Sequence, residues 1–359
     1  MSMNRENNNR IVIIRIIAIL SVVICHVAEV VYGKGTDWNS IKFSKLSLMS
    51  RQVLITCYLL GRCFGPPLFI MISGYLFLDR KWDFDKITAF YKKNWGHLLA
   101  CTVIWFLIYD TILALFFKVD LPIPIIIKDI LMMNKVQMMN VWYMPMILGL
   151  YPLIPFVSVA LQKIEVKWLI RVFIFYSILV VVIPTINTIL YTMKLPLLNS
   201  QINYGFSGGS YGLYLVAGYL IKKKTQSGKL ALRLIIGVLI FVLCAIFVNW
   251  RISNKDYSGI WCDNVFVFLS SIMIFSALVD CKIFDKKLPI TDFLSKYSFA
   301  VYLIHVIVLK GLYSVFATLP LKLPVIVCLL FLTVVTISYI MSWFISKIPK
   351  VGNYLLYIK

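Results

Sequence analysis

Apolar runs of about 20 residues recur along this 359-residue chain, each long enough to cross the hydrocarbon of a bilayer as a helix. In lipid the backbone must satisfy its own hydrogen bonds, which leaves helices or closed barrels. These runs are continuous rather than alternating, so the pattern selects helices. About ten of them lie near 11–31, 53–78, 95–118, 141–161, 168–190, 207–221, 230–250, 259–279, 298–317 and 323–346. The sixth is short and glycine-rich, and 121–133 (LPIPIIIKDILMM) is too short and too interrupted to span, which suits an interfacial or re-entrant segment. With 61% hydrophobic and 14% charged residues, the chain carries more apolar surface than a soluble domain hides. The expectation is an all-α integral membrane protein of about ten transmembrane helices, one domain over 1–359 with its core at 11–347 and no separate soluble domain. The first run lacks a small-residue cleavage site and reads as a retained helix.

The net charge of +21 would suggest a nucleic-acid partner in a soluble protein. Here the basic residues gather in every second connection: Arg5/Arg10/Arg15, Arg80 to Lys93, Lys163 to Arg171, Lys222 to Arg233, Lys282 to Lys296 and Lys347 to Lys359. That alternation is the positive-inside pattern and places both termini in the cytoplasm. The cationic faces then meet anionic lipid headgroups, with no nucleic acid required. The eight cysteines form no C-x-x-C pair and read as small apolar fillers. Three histidines are too few for a multi-histidine metal centre, and no P-loop, H-E-x-x-H or G-x-S-x-G motif is present.

Polar groups inside the apolar runs carry the functional signal. Arg15 and His26 lie eleven positions apart, three helical turns plus about 20°, so they share one face across roughly 16 Å of rise. Glu29 lies one turn further along the same stripe. Taken singly, Arg15 reads equally as a snorkelling arginine, His26 as a packed imidazole and Glu29 as a solvated end residue. Three on one face point instead to the bundle interior. Arg62 sits mid-run in GRCFGPPLFIMISGYLF and needs a partner, with Asp110 and Glu29 as the candidates. Gly65, Pro66 and Pro67 break the helix beside it, and freed backbone at that depth implies a protein-lined cavity. His305 falls at mid-membrane, His97 near the interface, and Lys310 in the outer half where it can snorkel.

On these residues the chain resembles the integral-membrane acyltransferase-3 family of bacterial cell-envelope O-acyltransferases. The resemblance covers about residues 10–347. It rests on Arg15 and His26 with ten residues between them, on RCFGPPLFIMISGYLF from Arg62, on VWYMPMILGLYPLIP at 141–155, and on SKYSFAVYLIH ending at His305. One departure stands out: FYKKNWGHLLA has Lys92 and Lys93 and no proline where the family carries paired arginines and a proline. Lysine is a poorer bidentate phosphate partner than arginine. Longer family members add an extracytoplasmic domain, so a chain ending at Lys359 is expected to act directly on its acceptor or through a separate partner.

The resemblance implies acetyl-CoA or another acyl-CoA as cytoplasmic co-substrate. The implied acceptor is a hydroxyl on a cell-envelope glycan or lipid-linked sugar, and the implied location is the bacterial inner membrane. Arg15, Lys92 and Lys93 would hold the CoA phosphates. His26 would be the general base with Glu29 fixing its tautomer, although an acyl-histidine route fits the same residues. Arg62 would meet the developing oxyanion. Trp142, Tyr143 and His305 would line the substrate path, where aromatic residues also serve as packing or interface anchors. Two other classes compete. A transporter also uses buried charges and broken helices, but no related halves are detectable, and a scaffold subunit would use the charges only to join helices.

Overall fold

The computed structural model describes residues 5–32, 46–133, 141–198, 209–224, 229–286, 288–349 and 351–358. Lys287, Lys350 and Lys359 of the basic clusters therefore lie outside the described residues. Among the described residues no strand occurs. Eight helices among these residues are long and apolar enough to span a membrane. They are α1 (Arg5–Val31), α2 (Leu48–Phe77), α3 (Phe84–Phe117), α5 (Tyr143–Gln162), α6 (Val166–Thr192), α8 (Leu230–Ser253), α10 (Pro289–Phe316) and α11 (Leu323–Ser346). The sixth and eighth predicted segments form shorter helices, α7 (Gly209–Lys223) and α9 (Val265–Leu278), of 15 and 14 residues. Residues 121–133 give only α4 (Ile123–Ile130), in keeping with the expectation that this segment does not span.

Burial orders these helices from centre to rim. The apolar window of α1 is 67% buried and packs on α2, α10 and α11. The corresponding windows of α6 and α8 are only 17% and 28% buried, and leave Ile174, Phe175, Leu239 and Ile246 exposed, as lipid-facing helices do. The polar stripe of α1 therefore lies at the core, where ionisable groups in a spanning helix are expected.

Glycine sets the closest crossing. The second half of α2 runs against α7 so tightly that a methyl group on Gly74 would overlap the Leu215 carbonyl, and one on Gly218 the Met71 carbonyl. Small residues at such contacts let two backbones approach. Backbone cannot swing aside as a side chain can, so Gly218→Ala is expected to destabilise the protein by about 3 kcal/mol. A lowered thermal midpoint in detergent, with no such drop for the uncrowded Gly311→Ala, is the check.

Two further ties close the ends of the bundle. Beyond α8, Asp256 accepts from Arg251 Nε at 2.8 Å and from Thr192 Oγ1 at 2.6 Å, joining α6 to α8. Burial pushes the Asp256 carboxyl up, but hydrogen bonds from Arg251, Ser258 and Thr192 outweigh that and hold it at about 2. At the other end, the short helix α12 (Gly352–Leu355) folds back on α3. His97, Cys101 and Trp105, spaced four residues apart on one face of α3, donate to the Tyr354 and Leu355 carbonyls at 2.8, 3.2 and 2.8 Å. His97 is thereby a tie between α3 and the tail.

Candidate active site

The break in α2 falls at Gly65, between helical stretches Leu48–Phe64 and Pro66–Phe77, as the proline pair requires. One turn earlier, Gly61 lies against α1. A methyl group there would overlap Cys25 Cβ and come within 3.1 Å of the Ser21 carbonyl oxygen. This close crossing brings Arg62 beside the polar stripe of α1.

Glu29 is the hub. Its Oε2 accepts from His26 Nδ1 at 2.8 Å and its Oε1 from Arg62 Nη2 at 3.2 Å. All three are buried, at 8% (His26), 3% (Glu29) and 8% (Arg62) exposure. Of the two candidate partners for Arg62, the fold uses Glu29, and the reading of Glu29 as a solvated end residue gives way to a buried one. A carboxylate can only accept, so Nδ1 of His26 carries a proton, and it is Nε2 that bears the lone pair whenever the ring is neutral. The Arg62 guanidinium also lies 4.6 Å from the Tyr58 ring centroid and 4.2 Å from that of Trp261. Its Nε–H is buried and has no hydrogen-bond partner among the described residues.

His26 and Arg62 line a cavity of about 500 Å³ that reaches along α1 to Arg15. Its wall includes Cys25, Trp142, Tyr143 and Tyr151. Tyr151 donates to Ser73 Oγ at 3.1 Å, because Ser73 already donates to the Phe69 carbonyl. At the Arg15 end, Nη1 of Arg15 reaches Ser295 Oγ at 3.5 Å, and the exposed Asp292 and Lys296 stand at the rim with Asn94 and Tyr357. Below the rim, Arg10 Nε and Nη2 grip both oxygens of Asp285 at 2.6 and 2.8 Å. The hydrogen bonds from Arg10 hold the Asp285 carboxyl below its ordinary range.

Of the residues singled out from the sequence, Arg15, His26, Arg62, Trp142 and Tyr143 share this cavity, and Glu29 sits behind His26. Lys92 and Lys93 do not reach its wall. They are exposed on the π-helical stretch Tyr91–Gly96, whose Asn94 does line it. His305 is fully buried beside His26 and outside the wall. Lys310 lies over the Phe117 ring, and Asp110 is buried away from Arg62's bonds. Sequence reasoning missed Tyr151, Ser295, Trp261 and Tyr357. Tyr151 and Ser295 stand inside quoted motifs without a charge to mark them, and Trp261 and Tyr357 lie at or beyond the ends of apolar runs.

Together these features define a multi-pass membrane protein whose bundle holds a largely apolar cavity with a carboxylate-oriented imidazole in its wall. Residues 8–343 match the family model described as "Acyltransferase domain". That span is nearly the whole chain, so the protein belongs to the acyltransferase-3 family and is a membrane acyltransferase. No curated protein and no solved structure matches it.

Proposed function

We propose that the protein is an O-acyltransferase of the bacterial inner membrane, moving an acetyl group from cytoplasmic acetyl-CoA to a hydroxyl of an extracytoplasmic sugar. The observation that carries this reading is one cavity holding Arg15 at one end and His26 with Arg62 at the other. The separation, about 16 Å of helix rise, matches the reach of a pantetheine arm. Arg15 and Lys296 at the rim, with Lys92 and Lys93 on the surface beside Asn94, supply charge for the CoA phosphates. The thioester then lies next to His26 Nε2, and the acceptor comes from the Trp142 and Tyr143 side. His26 takes the acceptor proton as its oxygen attacks the thioester carbon. The Arg62 guanidinium in the cavity wall meets the developing oxyanion. The C–S bond breaks, and the leaving thiolate receives the proton from His26. Glu29 holds the imidazole in the tautomer this requires.

Mass spectrometry of surface glycans from wild-type and deletion strains tests the reading, together with thiol release from acetyl-CoA by the purified protein. An acetyl mass increment lost on deletion, with thiol release in vitro, is the expected result. Unchanged glycans with an accumulated internal solute would overturn it in favour of a carrier.

A further inference from the structure

The sequence offers two imidazoles at similar depth, and the mechanism above uses one. The other, His305, is 0% exposed and lies face to face with His26, its ring centroid 5.5 Å away and its plane inclined by 27°. Its Nδ1 lies 3.0 Å from the Val301 carbonyl oxygen and 2.8 Å from that of Tyr302, both one turn back on α10. Carbonyl oxygens only accept, so Nδ1 carries the proton and Nε2 has the lone pair. That Nε2 is buried and has no partner among the described residues. An orphaned buried lone pair is costly and calls for a reason.

The placement of His305 is over-determined. The Tyr109 hydroxyl donates to the Leu303 carbonyl at 2.6 Å, which pins α10 to α3 at this level, and α10 packs along α1. The Tyr302 ring, 6.2 Å from His305, touches Tyr143 in the cavity wall. Among the described residues His26, by contrast, is held by a hydrogen bond at one atom, to Glu29. A single hydrogen bond fixes its tautomer but leaves its plane free to tilt.

We infer that His305 is a positioning residue for His26. Resting on the acyl-transfer reading above, its ring packs over one face of His26, restricts the tilt of that imidazole, and places a neutral ring, not a cation, beside the imidazolium that forms when His26 takes a proton. The hydrogen bonds of Nδ1–H to its own helix serve that end, because they lock the rotamer of the ring that His26 packs against. A phenyl ring would preserve the shape of the stack without the hydrogen bonds that lock its rotamer, and a leucine would remove both.

The test uses membranes of producing cells, which carry the natural acceptor, with radiolabelled acetyl-CoA, and compares transfer to that acceptor with transfer to added hydroxylamine, a nucleophile that needs no general base. For His305→Leu the maximal rate to the natural acceptor is expected to fall about 100-fold, the top loss being set by general-base catalysis. His305→Phe is expected to recover about a tenth of the wild-type rate. KM for acetyl-CoA should stay within about twofold in both, and hydroxamate formation should stay near wild type, since the base is bypassed. Equal losses on both nucleophiles, or a raised KM alone, would show that His305 only supports the fold. An unchanged rate in His305→Leu would also overturn the proposal. Should the leucine variant fail to reach the membrane, the phenylalanine variant alone decides by the same split. Wild-type membranes that form hydroxamate from acetyl-CoA no faster than membranes of the deletion strain would overturn the acyl-transfer reading itself, a result distinct from either loss, and all hydroxamate rates are taken above that background.

Discussion

Alanine in place of His26 is expected to lower acyl transfer to hydroxyl acceptors by about 10²- to 10⁴-fold, the range that a positioned general base contributes. The prediction follows from the geometry around the ring. Glu29 accepts from Nδ1 at 2.8 Å, so the basic nitrogen is Nε2, on a residue in the cavity wall. Removing the imidazole leaves Glu29 still paired with Arg62 at 3.2 Å, so no buried charge is stranded and the helices should stay assembled. Rates measured on variant protein at equal membrane levels, with hydroxylamine as a second acceptor, check the assignment. Hydroxamate formation should survive the substitution, because that nucleophile arrives with its lone pair free. Loss of both reactions to the same extent would place His26 in binding or folding, or in an acyl-histidine route, instead of in proton transfer.

How much of this was readable beforehand depends on which kind of order each residue obeys. Arg15, His26 and Glu29 share a face because one helix repeats every 3.6 residues, and that is arithmetic on the sequence. The break at Gly65 follows from Pro66 and Pro67 for an equally local reason. The choice of Glu29 over Asp110 as the partner of Arg62 is different. It depends on where α1 crosses α2, and the crossing is set by the absence of a side chain at Gly61 against Cys25. Nothing in a single helix's periodicity reports which glycine will be the contact. The stack of His305 on His26 is likewise a product of packing between α1 and α10, segments far apart in the chain. Each of the ten apolar segments carries a helix, but only eight of these are long enough to span; the shortness of α7 shows in its glycine-rich run, whereas that of α9 does not, since apolar content does not mark where a helix begins. Lys92 and Lys93 were drawn in by their charge alone, and charge near a membrane surface more often faces water, which is where they lie.

Arg62 should show the second large effect, and it can be separated into stability and chemistry. Arg62→Met removes the cation that faces a Glu29 carboxylate only 3% exposed. Breaking one partner of a buried pair costs about 3–5 kcal/mol, so this variant is expected to melt far below wild type in detergent. Arg62→Lys keeps a charge for Glu29 but loses the planar fork of N–H groups that lets one guanidinium serve Glu29 and the cavity together. That variant should fold near normally and still lose about 10²- to 10³-fold in maximal rate, the loss seen when one oxyanion donor is removed. The deciding case is the double variant Glu29→Gln/Arg62→Met. It buries no lone charge, so its thermal midpoint should return most of the way to wild type. Its activity should not return, because neither the oxyanion donor nor the carboxylate that fixes the His26 tautomer is present. If the double variant recovers activity along with stability, the Arg62–Glu29 pair is a structural tie between α1 and α2, and the oxyanion contact must come from another donor in the cavity wall.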